Sequence, residues 1–156
     1  MKISTKGKYG LRAMIDLAQY SEQEAVSISS IAQRQKISES YLEQLVAKLK
    51  KAGLVVSIRG EAGGYRLARP ASGISVGDVL RALEGDVRAV ICTAQTEEGC
   101  EGEELCVTKY VWQRINESIE KTVDEMMLDQ LVAESRKAQE KAKNHDVDSS
   151  RNSCSG

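Results

Sequence analysis

Between residues 38 and 68 the hydrophobic period of this chain switches from that of a helix to that of a strand. Leu42, Leu45, Val46 and Leu49 recur at i, i+3, i+4 and i+7, one apolar stripe of an amphipathic helix, with Ser38 placed to cap it. Gly53 stops that helix. Residues 54–59 (LVVSIR) are rich in β-branched side chains and read as a strand. Residues 60–64 (GEAGG) form a flexible tip, and residues 65–68 (YRLA) the return strand. A helix that leads straight into a small hairpin leaves few architectures open.

The flanking segments narrow them further. Leu11, Met14, Ile15 and Ala18 predict a helix over about 8–20. Ser27 or a neighbour caps a short second helix with Ile28, Ile31 and Ala32 inward, and Lys36-Ile37 is a tight connection to the third. Ser75 and Asp78 fit a capping box opening a fourth helix, with Val76, Val79, Leu80 and Leu83 inward and Gly85 at its end. A polar, acidic loop follows over 92–106. A long helix over about 107–127 carries Val111, Trp112, Ile115, Ile119, Val123 and Met126 on one broad face. Roughly 20 helical residues span ~30 Å, a longer stripe than the small core can cover. A second copy of the chain is the expected cover, and folding back on its own domain is the alternative. A short helix is expected near Asp129, with Leu131 and Val132 inward.

The expected fold is mainly α with a small β-hairpin wing: a winged helix-turn-helix plus a long dimerisation helix. The expected divisions are a head over 1–85, a cysteine-bearing loop over 86–106, the dimerisation and C-terminal helices over 107–142, and a polar, disordered tail over 143–156.

The net charge of −1 conceals a division of labour. Residues 1–81 carry +6 and residues 82–156 carry −7. A basic half suits a polyanion, while the acidic half excludes a packing protein that is basic throughout. There is no apolar run long enough to span a bilayer and no apolar signal-peptide segment at the start, so a cytosolic protein is expected. The single histidine, His145, lies in the polar tail, so no histidine base stands near the cysteines. The glycines at 60, 63 and 64 sit in a hairpin and do not form a phosphate loop. The chain reads as a non-enzyme.

The third helix must bury one face and offer the other. Its outward positions include Ser40, Gln44, Ala47 and Lys48, with Tyr41 and Glu43 at the margin. Gln pairs bidentately with adenine, Glu accepts from cytosine N4, and Ser and Lys serve phosphates or base edges. Recognition helices meet bases with their N-terminal residues. Ser38, Ser40, Tyr41, Glu43, Gln44 and Lys48 are therefore the candidate double-stranded DNA contacts. Arg59 and Gly60 at the hairpin tip are candidates for a minor groove. Arg66 and Arg69 lie on the return strand, and Lys2, Lys6 and Lys8 are placed to hold phosphates.

These segments carry a family resemblance. MKISTKGKYGLRAMIDLA, ISESYLEQLVAKLKKAGLVVSIRGEAGGYRLARP and ISVGDVLRALEG resemble the IscR, NsrR and CymR type of winged-helix transcription regulators. The likeness runs from Met1 to about Met127, and SYLEQL, followed by GLV, R-G and GGY, is its most specific part. It implies a homodimer on a palindromic operator, usually a repressor. It also implies DNA contacts in the helix beginning at Ser38 and in the wing at Arg59 and Gly60. IscR-like members hold an iron–sulfur cluster on three loop cysteines, which implies Cys92, Cys100 and Cys106 here. Regulation of cluster biogenesis or of cysteine and sulfur metabolism is the implied role.

The cysteines fit that implication in part. Thiolates are soft ligands suited to iron–sulfur clusters, with 2Fe–2S favoured and 4Fe–4S possible. The seven residues between Cys92 and Cys100 exceed the family's first spacer. IscR completes its site with a histidine three residues after the third cysteine, where this chain has Lys109. NsrR-like members use an acidic residue where this chain has Lys8. A loop glutamate, Cys154, His145, a backbone group or a small molecule are the remaining candidates for the fourth ligand. A disulfide switch between loop cysteines, structural zinc, and a cluster-free regulator controlled by a protein partner, as in CymR-like members, are the competing readings.

Overall fold

The computed structural model describes residues 3–89 and 107–152. The elements are α1 (Thr5–Tyr20), α2 (Ile28–Gln35), α3 (Glu39–Lys51), β1 (Val55–Ile58), β2 (Gly64–Leu67), a 3-10 turn (Ala71–Gly73), α4 (Val76–Glu84), α5 (Thr108–Glu125) and α6 (Leu128–Asn152). The order is that of a winged helix-turn-helix followed by two further helices.

Local chemistry sets the boundaries. The Ser27 hydroxyl accepts the Ser30 N–H at 3.1 Å, and the Ser38 hydroxyl accepts the Tyr41 N–H at 3.2 Å. Ser75 and Asp78 form the reciprocal capping box, each bond 3.0 Å. Each cap satisfies N–H groups that a helix start leaves without a partner. Lys36 ends α2 in the left-handed region, at φ 56°, which turns the chain sharply into α3. α1 starts three residues earlier than its apolar period indicates, because its cap comes from elsewhere. Glu84 at the end of α4 accepts the N–H groups of Ser4 and Gly7, both at 3.0 Å, and the Ser4 hydroxyl. That contact needs α1 and α4 to lie close together. Gly10 allows it, since a Cβ there would run into Leu83.

The main core gathers Met14 and Leu17 of α1, Ile31 of α2, Leu42, Leu45 and Leu49 of α3, Val55, Ile74 and Val79. Burying each such side chain is worth roughly 1.5–3 kcal/mol. Leu128 and Val132 of α6 belong to the same cluster, so residues 1–85 do not close the core alone. The chain returns to it by pairing the segment before α4 with the α5–α6 junction. The Val76 N–H donates to the Met126 carbonyl at 2.8 Å, and the Leu128 N–H to the Ile74 carbonyl at 2.9 Å.

The hairpin is antiparallel, with Val55 opposite Leu67, Val56 opposite Arg66, Ser57 opposite Tyr65 and Ile58 opposite Gly64. The first strand is shorter than the sequence pattern suggests, and the second keeps its expected length but starts one residue earlier. Tyr65 also exchanges two backbone bonds with Val26, at 2.9 and 2.7 Å, which ties the wing's base to the start of the helix-turn-helix.

α5 departs from the expectation of one continuous stripe. Ile119, Val123 and Met126 pack on Val76, Leu80 and Val87, a second, smaller cluster. Val107, just ahead of the helix, and Tyr110, Val111 and Ile115 are exposed. So the C-terminal half folds back on its own head, and the N-terminal half faces outward. The C-terminal end corrects two further expectations. The short helix near Asp129 is instead 25 residues long, and it takes in residues 143–152 of the segment expected to be disordered. From 107 to 152 there is no Gly or Pro, and Lys, Ala, Glu and Gln are frequent. High helix propensity prolongs the helix where apolar content alone suggests an unstructured tail. Residues 153–156 of that tail lie outside the described residues.

Candidate nucleic-acid interface

α3 is fixed on its inner face and open on its outer face. Opposite the buried stripe, Ser40, Glu43, Gln44, Ala47 and Lys48 are exposed. The side chains of Ser40, Glu43 and Gln44 have no hydrogen-bond or ionic partner among the described residues. Ser38 is also exposed, but its oxygen is engaged as the N-cap. Tyr41 differs from the other candidates. It is half-buried, and its ring meets Tyr9 edge-on, with centroids 6.2 Å apart and planes at 88°. Arg12 lies over the other member of that pair, 5.2 Å from the Tyr9 centroid, and donates to the Gln35 carbonyl at 3.0 Å. Tyr41 thus braces the start of α3 against α1.

The helix-turn-helix is locked behind this face. The Asp16 carboxylate is fully buried and accepts from Arg34 Nε at 2.9 Å, Arg34 Nη2 at 2.8 Å and Gln35 Nε2 at 2.9 Å. The hydrogen bond to Asp16 raises the Arg34 pKa above its ordinary value. Arg34 also stacks 4.2 Å from the Tyr20 centroid. A buried carboxylate needs such partners, because an unpaired charge there is strongly destabilising. The arrangement fixes the angle between α1 and α2.

Basic groups frame the outer face. The Lys6 amine, in contact with Lys48, holds the Lys48 pKa below its ordinary value through that contact and through like-charge repulsion. Lys8 is exposed on the first turn of α1, and Lys2 lies outside the described residues. Lys50 has a different role: it donates to the Ser57 hydroxyl at 3.0 Å and joins α3 to the wing.

At the wing tip Arg59 and Gly60 are both exposed. Gly60 has φ +116°, a conformation that side-chain-bearing residues rarely adopt, and its carbonyl accepts the Gly63 N–H at 3.0 Å. Arg59 has no ionic or hydrogen-bond partner among the described residues. Two further arginines, on β2 and just after it, are engaged within the chain. Arg66 reaches the Glu22 carbonyl at 3.5 Å, and Arg69 clamps the Gly73 carbonyl at 2.9 Å and Asp78 at 3.1 Å. Of the three, Arg59 alone is left for a groove.

Cys92, Cys100 and Cys106 lie outside the described residues, as does Cys154. Among the described residues no three His, Cys, Asp or Glu side chains come together as a metal-binding group. The two positions that complete the family's site are accounted for. Lys109 is half-buried on the first turn of α5, its Nζ 5.4 Å from the Tyr110 centroid. Lys8 is exposed. A protonated lysine has no lone pair to offer, so the three thiolates suit a soft metal centre but neither lysine completes the set. His145 is exposed on the distal part of α6.

Sequence reasoning missed three features, one that joins α4 to α1 and two that hold the head to α5. One is the Glu84 cap on α1. Another is the bidentate pair of Arg81 with Asp124, at 2.7 and 3.0 Å. The last is Asn116, a buried amide on α5 that accepts the Ala89 N–H at 2.9 Å. Asn116 had a visible signal, since it is a polar residue flanked on the helix surface by Trp112, Ile115 and Ile119.

Residues 3–134 match the Rrf2 family, described as iron-dependent transcriptional regulators. The HTH-type transcriptional regulator IscR of Yersinia enterocolitica is 42% identical over 132 residues, covering 85% of this chain and 79% of the relative. Among solved structures, IscR of T. potens is 45% identical with a TM-score of 0.71, covering 89% of this chain and 91% of that one. CymR, the global cysteine regulator of B. subtilis, is 41% identical with a TM-score of 0.72, covering 85% and 97%. Oxidised CymR of Staphylococcus aureus is 40% identical with a TM-score of 0.65, covering 85% and 96%. Among the described residues no helix is long and apolar enough to cross a membrane. With an open recognition face, a free arginine at the wing tip and regulators as its relatives, the chain is a DNA-binding regulator and not an enzyme, and it belongs to the Rrf2 family of transcriptional regulators.

Proposed function

We propose that the chain acts in the cytosol as a homodimeric repressor that grips a palindromic operator with two copies of α3 and two wings. The observation that carries the DNA reading is the outer face of α3, where Ser40, Glu43 and Gln44 stand exposed and unengaged beside the Lys6–Lys48 pair. Ser38, Tyr41, Arg59 and Gly60 complete the contact set. Gln44 and Glu43 read base edges, Arg59 enters the flanking minor groove, and the lysines hold phosphates. The exposed residues Val107, Tyr110, Val111 and Ile115 are the surface offered to the second copy.

The signal enters through the cysteine loop. Cys92, Cys100 and Cys106 would hold an iron–sulfur cluster, 2Fe–2S in preference to 4Fe–4S, in line with the iron-dependent description of the family and the IscR relatives. When bound, the group supplies a ligation state that responds to iron, sulfide and oxidants. The chain's own part is mechanical. The loop lies between Ala89 and Val107, so a change in its span bears on the end of the head and the start of α5 together. The genes controlled would serve cluster biogenesis or cysteine and sulfur metabolism.

A second reading has its own support: CymR of Staphylococcus aureus is known in an oxidised form, and two loop thiols here could form a disulfide in place of holding a cluster. One experiment separates them. Protein purified without oxygen is expected to be coloured and to contain iron and sulfide in about equal amounts. Colourless protein without iron, whose operator affinity changes on treatment with a thiol oxidant, would replace the cluster reading with the thiol one.

A further inference from the structure

We infer that Asn116 is the positioning residue that couples the cysteine loop to the reading head, by fastening the loop's first stem to α5. The inference rests on the sensing role proposed for that loop. Asn116 is 5% exposed and lies at the middle of α5, just ahead of the stretch that packs on the head. Among the described residues it is the only one of α5 that is fully buried. A buried amide is costlier there than an aliphatic side chain unless it is hydrogen-bonded. Its Oδ1 takes the N–H of Ala89 at 2.9 Å, across 27 positions in sequence. Ala89 stands three residues before Cys92.

The stem behind Ala89 is stiff and leads directly into the head. Asp86 accepts the Arg88 N–H and its Nε, each at 2.8 Å, which closes a tight turn. Val87, between them, is 4% exposed and packs in the small cluster with Ile3 and Ile119. Three residues earlier Glu84 caps α1, the helix that carries Lys6 and braces α3 through Tyr9. Beside the apolar contacts of Ile119, Val123 and Met126, two polar side-chain anchors tie α5 to the head among the described residues, Asp124 by Arg81 and Asn116 by the stem. These lie eight residues apart, ~12 Å along the helix. With Asn116 in place, a pull on the stem must move α5 and α1 together. Without it, the stem keeps the apolar packing of Val87 but loses its polar tie to α5, and less of the signal leaves the loop.

The test uses the full chain as wild type, Asn116→Leu and Asn116→Asp. Leucine fills the site and supports packing but accepts no hydrogen bond. Aspartate keeps the acceptor. The first readout is amide exchange at Ala89 in metal-free, reduced protein. It should quicken about tenfold in Asn116→Leu, the scale of one lost hydrogen bond, and stay slow in Asn116→Asp. The second readout is the ratio of operator affinities between protein reconstituted with ferrous iron and sulfide and metal-free protein. That ratio should fall toward one in Asn116→Leu, with metal-free affinity unchanged within about twofold, and be retained in Asn116→Asp. A purely structural role predicts faster exchange with an unchanged ratio, and that result overturns the inference, as does unchanged exchange at Ala89. A wild-type ratio of one would instead sink the sensing role. The fastening of the stem would then stand or fall on the exchange data alone.

Discussion

α3 and α5 are both amphipathic helices, yet they bury opposite things. α3 hides Leu42, Leu45, Val46 and Leu49 and shows a polar face. α5 hides Asn116 and leaves Val111 and Ile115 in the open. The first is complete within one chain: its apolar face is matched by the head, and its outer face is suited to a polar ligand. The second is half complete, since only Ile119, Val123 and Met126 find cover on the head. The difference shows that amphipathicity by itself does not say which face is functional. In α3 the surface proposed to meet DNA is the polar side, and in α5 the surface proposed to meet a second copy is the apolar side.

The contrast can be tested in order of effect. Leu45→Ala should destabilise the fold by about 2–5 kcal/mol, whereas Val111→Ala should change the stability of dilute protein by under about 0.5 kcal/mol. Thermal unfolding of the two variants compares them directly, and equal losses would show that α5's open end is buried in the single chain. Next, Val111→Asp with Ile115→Asp should leave the circular dichroism of the head intact and yield monomers in sedimentation. A double variant that still sediments as wild type would remove this patch from self-association. On α3, Gln44→Ala should weaken operator binding by about 1–3 kcal/mol and relax the preference at one base pair. Uniform weakening across sequences would instead make Gln44 a backbone contact.

The smallest effect concerns the cap that joins the two ends of the head. Glu84→Ala should lower stability by about 0.5–2 kcal/mol. The Ser4 hydroxyl, followed by the N–H groups of Gly7 and Ser4, holds the Glu84 pKa below its ordinary value. A carboxylate so depressed stabilises the fold fully above its unfolded pKa, near 4.5, and loses that contribution as pH falls through the lower folded value. Wild type should therefore lose more stability than Glu84→Gln in the acid window below about pH 4.5. Identical acid profiles would show that the cap adds nothing.

What could be read from the sequence follows the range of the interactions involved. The caps at Ser27, Ser38 and Ser75 and the stripe of α3 depend on residues within one or two turns, and these were legible. The exposure of Ser40 and Gln44 followed from the same periodicity, which put Glu43 at the margin, and the exposure of Arg59 followed from its place at the hairpin tip. Tyr41 was not legible as a brace, because its partner Tyr9 sits on another helix. Arg66 and Arg69 looked like wing cations equivalent to Arg59, but the Glu22 and Gly73 carbonyls and Asp78 engage them at the surface. Asn116 stood out in an apolar stripe, but its partner is a backbone N–H, which has no side-chain signature. The length of α6 was missed because low apolar content was given more weight than helix propensity.

The place of Leu128 in the main core also has a meaning in time. Leu128 is wholly buried, and it lies 44 residues beyond the end of α4. At roughly 5–20 residues per second of synthesis, that interval is several seconds. For that period the nascent head has all its DNA-facing elements but not the core side chains that α6 supplies. The regulator therefore reaches full stability only after the cysteine loop has been made, so no finished reading head forms ahead of the segment proposed to control it.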